Sequence, residues 1–272
     1  MISLASTNTP ASGRGFLLLD FPAVIRFLAQ YVPPLPRTRE QWGIVLLPPF
    51  IALILLLLDR YGLQDYFLRS RGAQLLNEGM SLNQLHFAAQ LWFSGSAAVL
   101  FVLLPLVFHF LFPVSFHNSL GLSLRYCGPH WRFYWLLVLV MAPVLWVASS
   151  APSFYHFYPM YKPVDLAHWA TYEVVYLLQF VCVEFFFRGF ALFRLESRFG
   201  LHAVTLMVIP YALIHIHKPL PEAVAAIVAG LVLGTLAIKS RSIWPGVLVH
   251  TSVAFMMDVF ALAHAGRLAA LF

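Results

Sequence analysis

Apolar windows long enough to cross a bilayer recur along nearly the whole chain, at roughly 42–58, 87–112, 131–151, 169–193, 201–216, 222–239 and 243–264. Backbone polar groups in hydrocarbon have no water to bond, so a spanning window has to fold as a helix. The expected fold class is therefore all-α, a polytopic transmembrane helix bundle of about seven spans. Composition agrees: 61% of residues are hydrophobic and 10% charged, with a mean hydropathy of +0.80, whereas soluble domains carry about 25% charged residues. Pro48 and Pro49 fall inside the first window and Pro210 inside the fifth, which marks a short span and a kinked one.

The polar stretches set the boundaries. Met1–Gly15 is polar, and the segment from Phe16 to Tyr31 is interrupted by Asp20, Pro22 and Arg26 before Pro33-Pro34-Leu35-Pro36 closes it. That pattern fits an amphipathic segment lying in the membrane interface better than a cleaved signal. The expected division is residues 1–41 as an interfacial segment and 42–272 as one membrane domain, with a short surface helix in the polar loop Asp59–Leu85. Lys and Arg collect mainly in loops on the N-terminal side, which favours a cytoplasmic N-terminus and, in a prokaryote, the plasma membrane. The formal charge is +6, yet the basic residues are scattered instead of clustered. Lipid is thus an expected partner and nucleic acid is not. Cys127 and Cys182 make no disulfide framework, and Cys182 lies inside a span.

Glu184 and Arg188 break the apolar run Phe180-Val181-Cys182-Val183-Glu184-Phe185-Phe186-Phe187-Arg188-Gly189-Phe190. A charge at bilayer depth costs about 3 kcal/mol or more, so such a residue faces a partner or a wet cavity. Four residues apart on a helix, the two share a face, the carboxylate one turn before the guanidinium. Taken alone, the pair reads equally as an ion pair that fixes helix packing.

Further titratable groups follow. The fifth window ends Ile209-Pro210-Tyr211-Ala212-Leu213-Ile214-His215, the sixth opens Lys218-Pro219-Leu220-Pro221-Glu222, and the seventh carries His250 and Asp258. A carboxylate and two imidazoles on separate helices can activate water inside a membrane: one group takes a proton, one orients the water, one protonates a leaving amine. The candidate catalytic residues are Glu184, His215 and His250, with Arg188, Glu222 and Asp258 in support. Each has a plain structural alternative. His215 can cap the last carbonyls of its helix, and Glu222 after Pro221 is an ordinary helix start. Asp258 lies about 80° around the helix from His250. Glu173 shares the face of Glu184 but is three turns away, which fits the interface or the lining of an entry path. Gly230 and Gly234 form a small-residue packing face.

The region resembles the CAAX-protease and bacteriocin-processing family of intramembrane endopeptidases, typified by the Ras-converting CAAX endopeptidase. The family's first motif, E-E-x-x-x-R, is met as Val183-Glu184-Phe185-Phe186-Phe187-Arg188; its second, F-x-x-x-H, as Tyr211 through His215; its last, H-x-x-x-N, as His250 through Ala254. The similarity covers roughly residues 169 to 258. It implies a protease acting on a peptide or lipidated protein that enters from the bilayer, with Glu184 as the general base. In the family the first glutamate of the motif activates water, and Val183 stands there in this chain. Ala254 replaces the amide that would steady the oxyanion. The resemblance leaves the cofactor open between a metal-free glutamic mechanism and a metalloprotease whose zinc would be held by Glu184, His215 and His250. Two other readings remain: a catalytically silent scaffold or peptide-immunity protein, favoured by Val183 and Ala254, and a proton-coupled carrier, disfavoured by the absence of an internal repeat.

Overall fold

The computed structural model describes residues 35–114, 120–125, 127 and 131–271. The interfacial segment expected over 1–41 falls almost wholly outside them. Residues 38–272 form one compact unit, and the described residues contain helices and no strand.

Helix α1 (Arg39–Val45) starts at Thr38, whose hydroxyl accepts the Gln41 N–H while the Gln41 side chain bonds back to the Thr38 N–H. Leu46 separates it from α2 (Leu47–Leu57), because Pro48 has no N–H to continue the ladder and sits at the new helix start instead. One wide π turn (Leu58–Gly62) then leads into α3 (Gln64–Asn77), the polar helix expected in the Asp59–Leu85 loop. Ser81 caps α4 (Leu82–Ala98), which passes through a second π turn (Val99–Leu103) into α5 (Leu104–Leu111). Helix α6 (Trp131–Ser149) and the one-turn α7 (Pro152–Tyr155) precede the chemically interesting half.

That half opens with α8 (Leu166–Glu184), capped by the Asp165 carboxylate, which accepts the His168 N–H at 2.8 Å. A third π segment (Phe185–Ala191) and α9 (Leu192–Phe199) prolong the same rod. Then come α10 (His202–Leu213), α11 (Leu220–Ser240) and α12 (Trp244–His264). Six helical rods among the described residues are long and apolar enough to span a bilayer, and α10 is a shorter apolar helix with Pro210 inside it. The chain is an integral, multi-pass membrane protein.

Two packing relationships position the polar residues. Helix α12 lies against both α6 and α8, and α10 lies against α11. The second contact is close because Gly230 and Gly234 leave room: a Cβ at Gly230 would stand 2.9 Å from Val208 Cγ2, and one at Gly234 would stand 2.9 Å from Met207 Cε. The main core gathers Leu47, Ile51 and Ile54 with Phe101, Phe186, Phe187 and Phe190, and a second core of Tyr158, Tyr161, Tyr172, Tyr176 and Met257 lies beneath the 152–165 segment. Leu56, Phe110, Leu139 and Val147 are exposed on the outer faces, as hydrocarbon solvent allows.

Candidate active site

Glu184 ends the regular part of α8 and Arg188 lies in the π segment that follows. Wide turns of this kind recur at functional sites because they re-aim side chains without ending the helix. Both residues are fully enclosed, and Arg188 Nη1 stands 3.1 Å from Glu184 Oε1. The face of the Tyr211 ring covers the guanidinium, with its carbon 3.9 Å from the ring centre. Tyr211 is the first residue of the second family-like motif, so the aromatic group there shields the buried cation.

The same Glu184 oxygen accepts a hydrogen bond from His250 Nδ1 at 2.8 Å. Helix α12 can approach this closely because Gly246, one turn before His250, has no side chain: a Cβ there would lie 2.6 Å from Glu184 Oε2. The imidazole is wedged between Phe180, with ring centres 4.5 Å apart, and Tyr211, at 6.4 Å. His215 also packs on Tyr211, with ring centres 4.8 Å apart, and donates from Nδ1 to the Tyr211 carbonyl at 2.9 Å. Glu184, Arg188, His215 and His250 are therefore gathered around one aromatic residue.

Accessibility separates the members of this group. The Glu184 and Arg188 side chains are 0% exposed and that of His250 is 14% exposed. Among the described residues no three of His, Cys, Asp or Glu stand close enough to hold a metal ion. The donor set therefore does not fit a resident zinc.

The two remaining support residues occupy a different place. Asp258 is buried against Glu173, their carboxyl groups facing each other, with Trp169 beside Glu173 and Tyr172 beside Asp258. Glu173 is thus inside the bundle at 5% exposure. Helical angle alone could not show that α12 would bring a second carboxyl group to meet it. Glu222 accepts the Tyr158 hydroxyl at 2.7 Å on both oxygens, and Lys218 Nζ donates to the same hydroxyl at 2.8 Å. Burial pushes the Tyr158 phenol well above its ordinary pKa of 10.

The two positions that depart from the family pattern face apolar surroundings. Val183 packs into the main core beside Phe186 and Phe187, and Ala254 sits in the second core with Tyr176 and Met257. Sequence reasoning passed over Gly246, Tyr158 and the role of Tyr211. Gly246 carried a signal, being a glycine one helical turn before a candidate histidine.

A model of the type II CAAX prenyl endopeptidase Rce1-like family matches residues 165–256. Over those residues the chain is similar to that family. The matched segment contains every member of the Glu184 group and ends between Ala254 and Asp258. The match supports an intramembrane endopeptidase of the CAAX type, surrounded by lipid and acting on a membrane-associated peptide. No curated protein and no solved structure matches the chain.

Proposed function

We propose that this protein hydrolyses a peptide bond in a lipidated or membrane-associated peptide that enters from the bilayer, using water activated by an imidazole that Glu184 holds. The observation that carries this reading is the 2.8 Å contact from His250 Nδ1 to Glu184 Oε1. A carboxylate cannot donate, so Nδ1 carries the hydrogen and the Nε2 lone pair is left free. His250 is also the member of the ion group that is not fully enclosed. The proton acceptor is then His250 Nε2, with Glu184 behind it and Arg188 keeping that carboxylate charged. This shifts the base from the glutamate to the imidazole, as in a carboxylate–histidine pair that orients one tautomer and stabilises the imidazolium.

His215 follows the same logic. Its Nδ1 hydrogen is spent on the Tyr211 carbonyl, so its Nε2 also accepts and can hold the second hydrogen of the water. Water loses a proton to His250 Nε2 and its oxygen bonds to the peptide carbonyl carbon. The imidazolium then returns that proton to the departing amine as the C–N bond breaks. In a prokaryotic cell this reading puts the protein in the plasma membrane, with the N-terminus in the cytoplasm.

Reconstitution with an S-farnesylated peptide and mass-spectrometric detection of products tests the proposal. Wild type should release a C-terminal fragment, and His250→Ala and Glu184→Gln should not. The complete enclosure of Glu184 and the apolar Ala254 favour the alternative of a silent scaffold. That alternative predicts no fragment from wild type and an unchanged biological phenotype in Glu184→Gln.

A further inference from the structure

The reaction above leaves unused a groove on the outer face of the bundle, between α2 and α10. Its volume is about 730 Å³, and its walls include Ile51, Ala52 and Leu55 of α2 and Leu206, Ile209 and Leu213 of α10. Ala52, Ile209 and Leu213 are exposed there. Asp59 and His217 are the polar side chains of the lining. They bridge the two walls at one end, with His217 Nε2 2.9 Å from Asp59 Oδ1, and stay open at 63% and 64% exposure.

Both walls lie at bilayer depth. Helix α2 opens a spanning rod, and Asp59 is the first polar residue after its apolar run Phe50–Leu58. Helix α10 has 12 residues, or about 18 Å, against a hydrocarbon core about 30 Å thick, so the bundle does not fill that thickness here. An apolar groove stays dry, and at this depth hydrocarbon has to occupy it. From Leu47 to Asp59 the groove follows α2 for about 18 Å. That is a little more than the half-thickness of the core, the depth of one acyl chain.

We propose that the groove is a binding site for an aminophospholipid of the phosphatidylethanolamine class, with one acyl chain between α2 and α10 and the ammonium on Asp59. Arg60, exposed on the same wide turn, supplies a guanidinium for the phosphate. Carboxylate and guanidinium thus stand side by side where the head group carries ammonium and phosphate. A primary ammonium brings three N–H donors to Asp59, whereas choline brings none. The site is independent of the endopeptidase reading, yet it bears on the same helix. Ile209, Pro210 and Leu213 line the groove while Tyr211, between them in sequence, turns to Arg188. A bound chain therefore braces the helix that carries Tyr211.

Native mass spectrometry of the full-length protein tests the assignment, after delipidation in detergent and exposure to equal amounts of phosphatidylethanolamine and phosphatidylcholine with identical acyl chains. Wild type should retain one phospholipid, with about a tenfold preference for the ethanolamine head, the scale of one charge-assisted hydrogen bond. Ala52→Trp fills the groove from an exposed position and should lose the retained lipid. Asp59→Asn should bring the ratio of the two lipids close to one. His217→Ala breaks the same bond between the walls but keeps the carboxylate, and should keep the preference. Asp59→Asn and His217→Ala, both at exposed positions, decide the question even if Ala52→Trp does not fold. Wild type without a retained lipid, or an unchanged ratio in Asp59→Asn, overturns the proposal. So does loss of the ratio in His217→Ala, which traces it to the bond and not to the charge, and so does a lipid still retained in Ala52→Trp. A dimer that Ala52→Trp converts to monomer assigns the groove to a second copy, and displacement of the lipid by an S-farnesylated peptide assigns it to the substrate's chain; either result overturns the proposal as well.

Discussion

His250 Nδ1 and Glu184 Oε1 meet at 2.8 Å across two helices, from positions 66 residues apart in the chain. The contact joins an enclosed carboxylate to a ring that is partly open, so charge is stored in one place and proton transfer can occur in another.

Glu184→Gln keeps the shape of that contact and removes its charge. The amide can present either an acceptor or a donor to Nδ1, and the imidazolium loses its counter-charge. Cleavage by reconstituted protein should fall about a hundred- to ten-thousand-fold. His250→Ala should fall by a similar factor. The double variant should be little worse than either single one, because the two act as a unit. Additive losses would show that they act separately.

Gly246→Ala probes the same contact from behind. The new Cβ would lie 2.6 Å from Glu184 Oε2, the end of a fully enclosed side chain, so the carboxylate has to shift from its seat beside His250. Alanine is the better helix former by about 1 kcal/mol, so the helix itself is not weakened. The expected outcome is normal expression and helicity by circular dichroism with at least a tenfold drop in cleavage. Full activity would mean that the placement of the carboxylate is not critical.

Arg188→Met removes one partner of a fully buried pair and leaves Glu184 uncompensated. Breaking a buried pair in this way costs about 3–5 kcal/mol, more than the pair itself contributes. Thermal unfolding in detergent should show a large loss of stability. Combining it with Glu184→Met should recover most of that loss, since no lone charge then remains.

The loop before α8 carries a pH signature. Burial pushes the Lys162 ammonium down to about 8 from its ordinary 10.5. Between those values the unfolded chain binds more protons than the folded one, so this residue adds stability as pH rises from about 8 towards 10.5. Below 8 its charged form is a standing cost. Thermal scans of wild type and Lys162→Met from pH 7 to 10 should converge as pH rises. A constant gap would remove this role from the lysine.

The spans and the acid–arginine pair were legible in the sequence because each rests on local spacing. A run of apolar residues has one solution in hydrocarbon, and residues four apart share a helix face wherever the helix lies. The 201–216 window yielded the 12-residue helix His202–Leu213, as Gly200 ends the rod before it and the chain turns at His215. What the sequence could not supply were contacts between helices. Nothing local to Glu184 says that His250 will bond it. Nothing near Glu173 says that Asp258 will cover it, and nothing in Lys218 says that a tyrosine from the 152–165 segment will meet it. These depend on rotation about helix axes, which the packing of α8 against α12 and the Tyr158–Glu222 bond settle together.

Tyr211 holds Arg188 against its ring and takes the His215 hydrogen on its carbonyl. Through these two grips the short helix α10 is geared to both halves of the site. Any displacement of α10 would have to move His215 and the ring over Arg188 together. A substitution that loosens α10 from Gly230 should therefore disturb His215 and Arg188 together while touching neither.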